Sequence, residues 1–295
     1  MSWEGKSKGT VLGYKIFVFA IRRLGVRFAY FILWFVSTYF YVRGGKEKEA
    51  IKTFYLRDLK VEPSKVNKLV RKNFRYLGHT LIDKVAFLIG RGNSFDFDFD
   101  GHHHLKKLIK NDEAAALIGA HIGNYEIAGN MLQSKELGKN ISAVMYENEH
   151  AAIKEFLDGE TGGASFNVIS IKPNDLSYVL EISAALKRKE FIGIHGDRYM
   201  PGARTLKTTF LGKEASFPAG PFEIASKLKA PATFVYAMKV NKWEYKFYGT
   251  EPIRDNATAK EILEKYVVCL EEMVRKYPEQ WYNYYDFFKI EDAGK

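Results

Sequence analysis

One cysteine, Cys269, stands in the whole chain of 295 residues. No internal disulfide can form, and a zinc site of the CxxC kind is excluded. Cys269 lies in the apolar stretch YVVCLEEMV, where a buried helix position is expected. The 24 glycines form neither a GxGxxG run nor a P-loop, so no nucleotide site is read. The N-terminal region also lacks an apolar run long enough to cross a bilayer. Its longest uncharged block, Phe28 to Val42, holds fifteen residues, whereas a spanning helix needs about 20. A cleavable signal peptide fits poorly as well, because the polar start is long and no small-residue cleavage site follows. Acidic residues are in deficit, with 35 Asp and Glu against 45 Lys and Arg.

The surplus of positive charge, +10 over the chain, is uneven. Residues 1–60 hold twelve Lys and Arg against four Asp and Glu, a balance of +8. Such an end can meet nucleic acid, an anionic membrane or an acidic protein. Its companions decide among these. In VLGYKIFVFAIRRLGVRFAYFILWFVSTYFYV, Arg22, Arg23 and Arg27 lie between two apolar, aromatic-rich blocks. Aromatic rings suit the membrane interface and arginines suit anionic headgroups. Helices lying in or dipping into the inner leaflet are therefore expected over residues 1–45, the alternative being a pair of buried packing helices. No nucleic-acid motif is present and none is expected to bind.

With 46% hydrophobic residues, 18 Tyr and 22 Phe, the remainder is not disordered by composition. SKVNKLVRKNFRYLGHTLIDKVAFLIG repeats apolar positions at three and four, a helical pattern. SFDFDFDG alternates strictly and predicts a strand with one wet face. HHHLKKLIKND reads as a short surface helix rather than a metal site, since adjacent histidines on a helix point in different directions. From about residue 95 onward, strand-like runs (AAALIGA, KNISAVMYE, FNVISI, FIGIHGD, ATFVYAMKV) alternate with helical ones. That alternation predicts an α/β layered fold with a mainly parallel sheet. No linker or repeat divides it, so residues 46–295 are expected to form one catalytic domain behind an N-terminal helical segment of residues 1–45.

Chemistry in such a sheet collects at the carboxyl ends of strands. The run LIGAHIGNYEIAG puts His121 at one of these ends. Asn124 reads as an N-cap, which places Glu126 in the first helical turn. Five residues apart within one helix, the two side chains would diverge by roughly 140°. With His121 before the helix they can converge. An imidazole can take a proton from an alcohol at neutral pH, and a carboxylate on its other nitrogen fixes the tautomer. Gly123 would let a substrate approach the backbone, and amides near Gly123 and Asn124 would face developing negative charge. Downstream, IHGDRYMPGAR again ends a strand. Arg198 or Arg204 there would hold an anionic group, or else shape the loop as an ion pair.

AHIGNYEIAG resembles the H-x4-[DE] motif of the bacterial lipid A biosynthesis (late) acyltransferases, within the lysophospholipid-acyltransferase-like superfamily. FDGHHHL precedes it in the family's order, the block running from IHGDRYMPGAR to PATFVYAM follows, and YPEQWYNYYDFF resembles the family's PEQW tail. The resemblance covers about residues 12–288. It implies a glycerolipid-acyltransferase-like fold and a metal-free enzyme that needs no cofactor. It also implies attachment to the cytoplasmic face of the inner membrane through the N-terminus. The reaction implied moves an acyl group from acyl carrier protein, or acyl-CoA, to a lipid hydroxyl. His121 would be the general base and Glu126 its partner, with Asp197 and Arg198 close to the site. FPAGPFEIA resembles the FPEG element of glycerolipid acyltransferases without its following arginine, and it would bring Phe217 and Gly220 beside the substrate.

The sequence departs from the family at VMYENEH, where Glu147 stands in place of an expected arginine. The acceptor is therefore open among lipid A-like molecules, amino-acid lipids, glycolipids and pigment head groups. Two other readings stay beside the O-acyltransferase: N-acylation of an amino lipid, and a catalytically silent lipid-binding protein of the same fold.

Overall fold

The computed structural model describes residues 11–124, 127, 138–146, 167–171, 175–254 and 256–289. Among the described residues nine strands carry the architecture: β1 (Asp96–Asp100), β2 (Ala115–Gly119), β3 (Ile141–Tyr146), β4 (Asn167–Ile171), β5 (Phe191–His195), β6 (Thr205–Phe210), β7 (Lys213–Pro218), β8 (Ala232–Lys239) and β9 (Glu244–Gly249). Seven of them form one sheet in the order β1-β9-β8-β2-β5-β3-β4, and β6 and β7 make a separate antiparallel pair. All neighbours in the large sheet are parallel except β8 and β9. The expected α/β fold with a mainly parallel sheet is present. β2 sits in the middle with every residue buried, which is why AAALI reads as an unbroken apolar run. β1 is the outer strand, and its alternation is that of an edge. Phe97 and Phe99 lie against Phe247, while Asp98 pairs with Lys246 at 2.9 Å on the wet face.

The helices among the described residues are α1 (Val11–Leu24), α2 (Val26–Arg43), α3 (Lys46–Thr53), α4 (Pro63–Ala86), α5 (His102–Lys110), α6 (Ser177–Lys187), α7 (Ala219–Lys227) and α8 (Ala259–Lys276). α8 begins with a capping box: Thr258 accepts from the Glu261 amide and Glu261 accepts from the Thr258 amide. Its apolar face, from Ile262 to Val274, joins the main core with β2, β5 and β8. The helix expected in NEHAAIKEFLDGE lies outside the described residues.

α1 and α2 pack on the rest of the protein by one face, as the alternative of packing helices expects. One face of α2, with Val26, Ala29, Tyr30 and Leu33, is buried and packs with α4 over Phe95 and Tyr245. The opposite stripe leaves Phe28, Phe31, Phe35, Tyr39 and Val42 exposed. No helix among the described residues is long and apolar enough to cross a membrane.

Candidate active site

β2 and β5 run side by side with Gly119 opposite His195. Two residues beyond each of these ends come His121 and Asp197, and equal overhang on parallel neighbours brings them together. Asp197 Oδ1 is 2.8 Å from His121 Nδ1, and the His121 amide donates to Asp197 Oδ2 at 3.0 Å. One carboxylate thus fixes both the ring and the turn that bears it. Gly196 makes the approach feasible, since a Cβ there would meet Ile118, Phe222 and Tyr266, each at 3.0 Å. Tyr266 in turn donates to the Gly119 carbonyl at 2.9 Å.

The electrostatics favour a neutral base beside a fixed anion. Burial, aided by the charge of Arg198, lowers His121 below its ordinary 6.5 despite the opposing pull of Asp197. Burial alone would raise the Asp197 carboxyl. The His121 ring, its hydrogen bond and Arg198 outweigh that effect and hold the acid well below its usual range. Asp197 has no exposed side-chain surface, whereas 20% of the His121 side chain is exposed. The base is therefore reachable and its partner is not.

A second imidazole lies alongside. The His195 and His121 rings are 4.3 Å apart, tilted by 62°. Burial, with the nearby His121, pushes His195 down to about 3.

The turn after His121 is built into the fold on all sides. The Ile122 amide donates to Ala120, the Gly123 amide to Gln280 and the Asn124 amide to Ala237. Gly123 has φ +64, and a Cβ there would fall 2.2 Å from the Ala237 carbonyl. Its smallness serves the packing of this turn on β8, not the approach of a substrate. Asn124 is 1% exposed and its Nδ2 donates to Thr80 O and Tyr245 Oη. Asn124 thus ties the turn to α4 and β9. The amides of His121, Ile122, Gly123 and Asn124 are engaged within the protein.

Asp197 is a carboxylate on Nδ1 of His121, while Glu126, expected as the partner of His121, lies outside the described residues, as does Glu147. Arg198 sits next to the pair. Its Nε donates to Asn283 Oδ1 at 2.9 Å and its Nη2 to the Tyr282 carbonyl at 2.6 Å. Three other expected site residues are placed differently. Arg204 is 77% exposed and pairs with Glu223 at 2.7 Å, the ion pair of the loop-shaping alternative. Phe217 is fully buried against Phe210, Tyr266 and Phe287, and so has no surface to offer a substrate. Gly220 lies in α7 with nothing within 4 Å of its Cβ direction.

The C-terminal segment is the part that local sequence patterns did not disclose. Trp281 bridges to Ile122, and the Tyr282 amide donates to the His121 carbonyl at 3.1 Å. The Gln280 side chain donates to Lys239 O at 2.8 Å and accepts from Lys239 N at 2.9 Å, copying a strand pairing at the end of β8. PEQWY is thus a clamp on the catalytic turn. The usable signal was polar: one glutamine, Gln280, and one asparagine, Asn283, inside an aromatic tail that buries both.

A mainly parallel α/β sheet presents the His121–Asp197 pair at the carboxyl ends of neighbouring strands, where sheets of this class gather their chemistry. The chain matches the bacterial lipid A biosynthesis acyltransferase family over residues 6–289, nearly its full length, and it belongs to that family. It is accordingly an enzyme of acyltransferase type. No curated protein matches it.

Proposed function

We propose that the protein is an O-acyltransferase that moves a fatty acyl group from a carrier-protein or CoA thioester to the hydroxyl of a membrane lipid. The observation that carries this reading is the 2.8 Å contact between Asp197 and His121 Nδ1. With Nδ1 held by Asp197, the proposed chemistry runs through Nε2. In the proposed step Nε2 takes the proton of the acceptor hydroxyl as its oxygen attacks the thioester carbon. The tetrahedral intermediate then collapses, the C–S bond breaks, and the proton on Nε2 passes to the leaving thiolate. Asp197 remains ionised and steadies the imidazolium. No serine or cysteine nucleophile is required.

Asp197 holds the orienting role in this scheme. Glu126 keeps the place that the H-x4-E pattern gives it, as a second acid of the site. The exposed stripe of α2, flanked by exposed Arg22, Arg23, Arg27 and Arg43, supports docking at an anionic membrane surface, on the cytoplasmic face where such thioesters are found. The net charge of +10 suits an acidic carrier protein as donor.

The test is the lipid profile of the producing bacterium with the gene deleted and then restored as wild type or His121→Ala. One acylated lipid should vanish and return only with the wild type. The mass it loses identifies chain and acceptor, and an amide in place of an ester would shift the reading to N-acylation. Full restoration by the alanine variant rejects the mechanism in favour of a lipid-binding protein.

A further inference from the structure

The tetrahedral intermediate places a negative charge on the former carbonyl oxygen, and that charge needs hydrogen-bond donors aimed at it. In many hydrolytic and transfer sites backbone amides supply them. Here the amides of His121, Ile122, Gly123 and Asn124 are all bonded, to Asp197, Ala120, Gln280 and Ala237. Arg198 commits its Nε and Nη2 to the C-terminal clamp. The neighbouring imidazole of His195 is a side chain beside His121 that can supply a donor.

We propose that His195 is a catalytic residue of this enzyme, a neutral imidazole whose N–H stabilises the oxyanion of the acyl-transfer intermediate. The inference rests on the acyl-transfer reading above. Its geometric basis is the register of Gly119 with His195, which delivers the second ring to the same strand-end cleft. The two ring centres are 4.3 Å apart and the rings are tilted by 62°. An acceptor oxygen bound to Nε2 of His121 at hydrogen-bond distance puts the attacked carbon, and its oxygen, within a few ångströms of that ring.

The electrical state of His195 suits the role. A ring that charges only at strongly acid pH carries one N–H and no net charge at working pH. It can strengthen its hydrogen bond as charge builds on the oxygen, and it does not repel the proton that His121 gains. His195 transfers no proton. As the C–S bond breaks, the oxygen reverts to a carbonyl and the proton on His121 leaves with the thiol.

The experiment compares wild type, His195→Phe, His195→Gln and His121→Ala in membranes of the deletion strain. Each is supplied with a mixed pool of saturated acyl carrier protein thioesters, and ester formation is followed with thermal unfolding as the fold control. The phenylalanine variant, which keeps a flat ring without a donor, should lose about 100-fold or more in kcat, with KM for the thioester changed less than about threefold. The glutamine variant, which keeps an N–H, should recover at least about tenfold over phenylalanine. A phenylalanine variant within threefold of wild type overturns the assignment, as does a folded glutamine variant no better than phenylalanine. Should phenylalanine not fold, a folded glutamine variant more than about 100-fold below wild type overturns it alone. If wild type itself forms no ester, or His121→Ala matches it, the acyl-transfer reading has failed instead.

Discussion

Asp197 grips His121 twice, at the ring through Oδ1 and at the backbone through Oδ2, at 2.8 and 3.0 Å. The aspartate is therefore both tautomer lock and anchor of the turn. Asp197→Asn keeps the shape but presents an amide that can donate to Nδ1, which moves the ring proton to Nε2 and removes the base. The expected outcome is a fall in kcat of about 10³-fold or more in a folded protein. Glu126→Gln, assayed beside it, tests the division of labour. A nearly active Asp197→Asn with a dead Glu126→Gln would return the orienting role to Glu126.

The pH profile follows from the sign of the His121 shift. The base works when neutral, so kcat/KM should rise with pH through the His121 pKa and level off above it. Burial and Arg198 hold that pKa below 6.5, so the acid limb lies below 6.5 as well. Arg198→Gln removes the nearby cation and should move the limb towards higher pH. A limb that stays in place would mean that the charge of Arg198 is not felt at His121, and a shift to lower pH would contradict the stated electrostatics.

How much of this was visible in the chain varies with the range of the interaction that decides it. Runs set by local burial were legible: AAALIGA as a strand and SFDFDFDG as a strand with one wet face. The β6–β7 pair was not foreseen, although Leu211 and Gly212 at its turn, with φ of 50 and 78, fit the two-residue hairpin pattern. The Lys- and Thr-rich strands beside them are partly exposed and give a weak alternation. His121 and the neighbourhood of Asp197 could be read from strand ends followed by glycine. Which acid reaches the ring could not, because 76 residues separate His121 from Asp197 and only strand order makes β2 and β5 neighbours. The same holds for Gln280 and Tyr282, whose partners lie on the far side of the sequence.

His79 offers a stability test with a definite sign. Its ring stacks on Tyr30 at 4.4 Å. Burial, reinforced by the cations of Lys239, Arg75 and Lys242, pushes it down to about 3 from 6.5. The folded protein keeps this ring neutral where the unfolded chain takes up a proton. Its effect is nil above pH 6.5, and stability is lost as pH falls from there towards 3. His195 acts in the same sense. His79→Leu should flatten the acid dependence by about 1.4 kcal/mol per pH unit in that window, read by urea unfolding between about pH 6 and 4. Parallel curves for variant and wild type would show that His79 is not held neutral.

Asp83 and Lys239 pose the sharpest energetic question, because both are removed from water, with side chains 0% and 3% exposed, and lie 2.5 Å apart. Tyr30 and Tyr245 also donate to Asp83, and Tyr245 holds Asn124 of the catalytic turn. α2 is thereby wired to the site. Burial drives the acid up and the amine down, each towards neutrality, while their mutual attraction opposes both. A pair of this kind is costly to break and cheap to replace. Asp83→Leu leaves an ammonium with the Tyr30 hydroxyl alone and should cost about 3–5 kcal/mol. Lys239→Met leaves a carboxylate that still accepts from two tyrosines, so its cost should be smaller. The double variant should be more stable than Asp83→Leu, with a coupling of at least about 1 kcal/mol in urea unfolding. It should also turn over more slowly than its stability implies, because Tyr245 no longer has Asp83 to fix the hydroxyl that holds Asn124. Strict additivity of the two single changes would show that the ion pair does not act as a unit. Wild-type turnover in the double variant would show that the path from α2 to His121 carries no constraint that catalysis needs.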